Sequence, residues 1–128
     1  MPDLHPFEIL AQYVAALGVI FVGLSILTIR SRRHAGIALG TGTNDELLRR
    51  TRAHANFAEY APLALILIAG AAAAGAPVWF VHATGAALVA GRLLHAVAIY
   101  RSAIPLRVAG MALTLTTMLA ACGAILIV

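Results

Sequence analysis

The chain has 128 residues, of which 62% are hydrophobic and 11% charged, with a mean hydropathy of +0.93; a soluble domain carries about a quarter charged residues, so this composition excludes one and indicates an integral membrane protein. The formal net charge of +4 comes from nine basic side chains, all of them Arg, set in a few clusters rather than the broad basic stripe of a nucleic-acid-binding fold, and that class is excluded as well. The single cysteine, Cys122, lies deep in an apolar run, where it has no intrachain partner and reads as a small packing residue.

The first apolar stretch runs from about Phe7 to Ile29, long enough to cross a hydrocarbon core of about 30 Å. It opens with Asp3, Pro6 and Glu8 instead of a positive n-region and shows no cleavage site after its apolar stretch, so it reads as a retained span. It stops at Arg30, and Arg32, Arg33 and His34 follow as a basic cluster at headgroup depth. Residues 37–46, IALGTGTNDE, form the one loop of any length. Thr43, Asn44 and Asp45 are each able to cap the next helix, and Glu46 adds a favourable charge near its N-terminus.

The second helix is expected over about 47–74, with its first turns projecting from the membrane and Pro62 inside it, where the missing N–H favours a kink. Its segment 49–62, RRTRAHANFAEYAP, carries charge into a span. At about 100° per residue, Arg49, Arg52, Asn56 and Glu59 share a stripe less than about 90° wide, with Tyr60 at its edge and His54 well off it. Ionisable groups at membrane depth face a bundle interior or a wet cavity and mark function by default. A blander reading is that Arg52 and Glu59 only neutralise one another between packed helices.

Gly70 to Pro77, GAAAAGAP, turns the chain, with Pro77 placed to start a third helix and Trp79 and Phe80 at interfacial depth. The third span, about 78–100, places Arg92 and His95 on one face at an i, i+3 spacing. The alternative for Arg92 is snorkelling toward the interface. Tyr100, Arg101, Ser102 and Pro105 mark a short turn, and Arg107 opens the fourth span, about 106–128, in which Thr114, Thr116 and Thr117 are expected to bond back to their own helix. The expected architecture is therefore one all-α membrane domain over 1–128, a four-transmembrane-helix up-down-up-down bundle. All nine arginines fall on or near the first- and third-loop side, which places those loops in the cytosol and both termini outside it. An arginine-rich pocket at that face suits a ligand bearing carboxylates.

The segment TRAHANFAEYAP, together with GRLLHAVAIYRS and the Pro and Arg that follow, resembles the MAPEG family, the membrane-associated proteins in eicosanoid and glutathione metabolism, and most closely its small bacterial members. The resemblance extends over essentially the whole chain. It implies a homotrimer in a bacterial inner membrane, with glutathione as co-substrate held between neighbouring subunits at the cytosolic face. The family's glutathione-contacting Arg, Asn, Glu and Tyr match Arg52, Asn56, Glu59 and Tyr60, and the arginine thought to stabilise the thiolate has its nearest match in Arg107. His54 stands where other members carry Gln or His. The chain departs from the pattern in helix three, where His95 and Ile99 occupy the positions of site-lining tyrosines and Tyr100 lies one residue out of phase.

The implied activity is that of a glutathione-dependent transferase or peroxidase acting on hydrophobic electrophiles in the bilayer, with Arg107 catalytic and with Arg49, Arg52, His54, Asn56, Glu59, Tyr60, Arg92, His95 and Tyr100 binding substrate. The competing class is a non-catalytic membrane protein that binds an anionic thiol or a lipid headgroup. A transporter is disfavoured, because no internal repeat suggests alternating access.

Overall fold

A computed structural model describes residues 5–127. They form four helices: α1, Pro6–Ala35; α2, Asp45–Ala73; α3, Val78–Tyr100; and α4, Ile104–Ile127. Each is long and apolar enough to cross a membrane, and the molecule is a four-helix membrane bundle. Asp3 and the Val128 end of the expected fourth span lie outside the described residues.

The ends of the helices follow local chemistry. The basic cluster after Arg30 is not loop but the last turn of α1, where Arg32, Arg33 and His34 oppose the negative end of the helix dipole. The helix stops at Gly36, whose φ of 67° is the left-handed conformation that an L side chain resists, and its N–H closes back onto the Arg32 and Arg33 carbonyls. Arg32 then organises the loop, donating from Nη1 to the Gly40 carbonyl at 2.8 Å. Of the three possible caps for α2, Asn44 serves: its Oδ1 accepts the Leu47 N–H at 2.8 Å. Glu46 pairs with Arg50 at 2.6 Å one turn on. The helix then continues unbroken through Pro62. Pro105 falls in the first turn of α4, where a helix has no use for the missing N–H.

Helices α2 and α3 occupy the middle, with α1 and α4 each packed against both; among the described residues α1 and α4 do not touch. The core is built from Leu17 and Leu24 of α1, Phe57, Ala61, Ala64 and Ile68 of α2, Val81 and Leu88 of α3, and Ala121 of α4. Outward-facing positions are apolar as well, among them Val19, Ile66, Leu119 and Leu126. In water they would be a liability, whereas hydrocarbon is their matching solvent.

Helices α3 and α4 meet backbone to backbone. A Cβ on Gly110 would lie 2.7 Å from the His95 nitrogen and 2.8 Å from the Gly91 oxygen, both backbone atoms with nowhere to go. Only glycine at that crossing brings Arg92 and His95 up against α4.

Candidate functional site

At the end of the bundle that carries the first and third loops, a cavity of about 320 Å³ opens between the start of α2, the end of α3 and the start of α4. Arg49, Arg52 and Asn56 line it from α2, His95, Ala98 and Ile99 from α3, and Ile104 and Arg107 from α4, with Ser102 and Ala103 of the turn between. The α2 contribution is the stripe expected from the helical wheel: positions 49, 52 and 56 return to one face at intervals of three and four. Three guanidiniums and no carboxylate border the space. Such a lining offers hydrogen-bond donors and positive charge to an anionic ligand, with Ala98, Ile99 and Ile104 as its apolar members.

Beneath the cavity lies a cation that does not line it. Arg92 is 1% exposed, so it does not snorkel; its helix points it inward, against α2 and α4. Its Nε–H donates to Thr114 Oγ1 at 3.0 Å, an Nη1–H to Asn56 Oδ1 at 2.6 Å and an Nη2–H to Met111 Sδ at 3.3 Å. Its guanidinium carbon lies 5.7 Å from the centre of the Tyr60 ring, a cation–π distance. Thr114 passes the chain on by donating to the Gly110 carbonyl at 2.9 Å, so the expected back-bonding of this threonine holds while its oxygen also receives Arg92. A buried guanidinium without a carboxylate is sustained here by neutral acceptors and a π face.

Other expected site residues are placed elsewhere. His54 faces α1, stacked on Phe21 with ring centres 4.7 Å apart and with Nε2 at 3.0 Å from Ser25 Oγ. Because the Ser25 hydroxyl already donates to the Phe21 carbonyl, Nε2 carries the proton and donates to Ser25. Glu59 and Arg52 are both exposed and form no ion pair; the one ion pair among the described residues is Arg50 with Glu46. The mutual neutralisation of Arg52 and Glu59 therefore does not occur within the chain, for their seven-residue spacing separates them by about 10 Å along the axis with Asn56 between. Tyr60 meets Arg92 rather than the cavity. Tyr100 turns away to pack on the core, its hydroxyl buried without a partner, whereas Ile99 and His95 do line the cavity. The contacts of Thr114 and Met111 with Arg92, and the role of Gly110 in the crossing, escape sequence reasoning, since nothing in an ordinary apolar span marks which residues meet an arginine on the neighbouring helix.

The family model described as the MAPEG family matches residues 10–127 of this chain. The inner membrane protein YecN of Escherichia coli strain K12 is 33% identical over 104 residues, covering 81% of this chain and 79% of that protein. YecN of Escherichia coli O6:H1 matches to the same extent. No solved structure matches.

Proposed function

This chain belongs to the MAPEG family, and from that membership we propose that it is a glutathione-dependent transferase or peroxidase of a bacterial inner membrane, acting on hydrophobic electrophiles dissolved in the bilayer. The observation that carries the reading is the cavity bordered by Arg49, Arg52 and Arg107 without a carboxylate. Glutathione has two carboxylates and a thiol. Guanidinium forks from α2 bind the carboxylates, and a guanidinium beside the sulfur lowers a thiol pKa of about 8.5 and so raises the fraction of nucleophilic thiolate. In this reading Arg107 is the thiolate-stabilising residue, and the sulfur attacks the electrophile directly with no covalent enzyme intermediate. The second substrate approaches from the lipid past the apolar members of the lining.

A homotrimer belongs to the same proposal. Its support, beyond family membership, is that Arg52 and Glu59 stand exposed on one face of a membrane helix; ionisable groups at that depth face protein or a wet cavity rather than lipid. A neighbouring subunit covering that face would complete the site and bring Glu59 to the glutathione ammonium.

The test is calorimetry of the detergent-solubilised protein with glutathione and other small thiols, followed by absorbance of the complex. Binding accompanied by a thiolate absorbance is the expected result. Binding without thiolate would favour the non-catalytic alternative, in which the same cavity holds an anionic thiol or a lipid headgroup. Absence of glutathione binding would remove the proposal.

A further inference from the structure

The geometry points to Arg92 as a positioning residue that fixes the hydrogen-bonding sense of the cavity wall: it locks the Asn56 side-chain amide so that its NH₂, and not its oxygen, faces the ligand. Arginine has only donors. Whatever group of Asn56 meets Arg92 Nη1 at 2.6 Å must therefore be the carbonyl oxygen, and the amide nitrogen is left to point the other way. That nitrogen makes no hydrogen bond within the described residues, while Asn56 itself borders the cavity. Arg92 has little freedom to release the oxygen, because it is 1% exposed and its Nε and Nη2 are tied to Thr114 and Met111 of α4. Thr114 is held in turn, its hydroxyl proton committed to the Gly110 carbonyl.

An asparagine free to flip would offer a ligand either a donor or an acceptor. Held this way, Asn56 joins Arg49, Arg52 and Arg107 as a donor, so a ligand group seated against these four side chains must be an acceptor such as a carboxylate, and an ammonium finds no partner among them. Naming glutathione as the ligand rests on the functional reading above, whereas the locked amide does not.

Asn56→Asp separates the two roles of the side chain. It keeps an oxygen toward Arg92, now with a counter-charge, but turns the cavity-facing donor into an acceptor. Thermal stability should hold or rise while glutathione affinity falls by about tenfold or more, the scale of one lost charge-assisted hydrogen bond. Arg92→Met should weaken glutathione binding by freeing the amide, and Arg92→Lys should restore part of it by returning a donor to Oδ1. A purely structural pairing would move stability without this pattern.

A second readout needs no ligand. The chain has two asparagines, Asn44 and Asn56, so ¹⁵N-asparagine labelling gives two side-chain NH₂ signals, and Asn44→Ser, which keeps a capping oxygen, leaves that of Asn56. The Asn56 proton pair should be sharp and well separated in the wild type and collapse toward free-asparagine values in Arg92→Met, or shift in Arg92→Lys should the Met variant not fold. If the wild type binds no glutathione yet shows this behaviour, the proposed function fails and the positioning role stands. An Asn56 signal indifferent to both Arg92 variants, or full glutathione affinity in Asn56→Asp, overturns it.

Discussion

Arg52 and Arg107 border one cavity from two helices, and both are exposed, which gives their removal a clean signature. Arg52→Ala leaves no buried charge behind, since Glu59 is not its partner within the chain. The stability of the isolated chain should therefore change little, within the roughly 0.5 kcal/mol usual for surface substitutions, while glutathione affinity drops; calorimetry alongside thermal unfolding checks both. Arg107→Ala should retain much of the affinity and lose turnover, by about tenfold for each 1.36 kcal/mol of transition-state stabilisation removed. Steady-state kcat and KM measured with a hydrophobic electrophile distinguish these effects, and unchanged turnover would remove Arg107 from the chemistry. The convergence of Arg49, Arg52 and Asn56 was legible in the sequence because it depends only on the pitch of one helix. The burial of Arg92 was not, since it depends on Thr114 and Met111 of a different helix, and no local pattern in α4 records what crosses it. His54 was legible only as lying off the stripe; its seat against Phe21 and Ser25 needed the packing of α1.

Among the elements, α3 and α4 are joined most intimately, and their crossing makes a prediction. Gly110→Ala places a methyl group 2.7 Å from the His95 backbone nitrogen, so the helices must part, at a cost of about 1–3 kcal/mol for overpacking, and the Arg92 bond to Thr114 should lengthen with them. Gly23→Ala on α1 is the control: nothing lies within 4 Å of its new methyl, and helix propensity alone should make it neutral or stabilising by up to about 1 kcal/mol. Unfolding of both variants in the same detergent provides the comparison. The existence and order of the four helices could be read from hydropathy, and the turns from Gly, Pro and Asn. The end of α1 was misplaced by several residues because membrane thickness sets how much of a helix must be apolar, not where the helix stops. Its stop depends on Gly36 and on charges that suit the dipole of a last turn.

For the whole molecule, arginine placement predicts that the first and third loops share the cytosolic side. In a Cys122→Ala background, cysteines at Thr43 and Pro77, which are both exposed, should react with an impermeant maleimide from opposite faces of the membrane; labelling from one face would end the four-span arrangement. Native mass spectrometry in mild detergent should give a trimer, and a monomer would leave the charged face of α2 without its proposed cover. The cavity itself is asymmetric in build. His95, Ala98, Ile99, Ile104 and Arg107 belong to α3 and α4, a hairpin locked by backbone contact at Gly91 and Gly110, whereas Arg49, Arg52 and Asn56 belong to α2 alone. The site is thus framed by two jaws of different build, one a fused hairpin and the other a single helix, and the Asn56–Arg92 bond is a clasp that joins them.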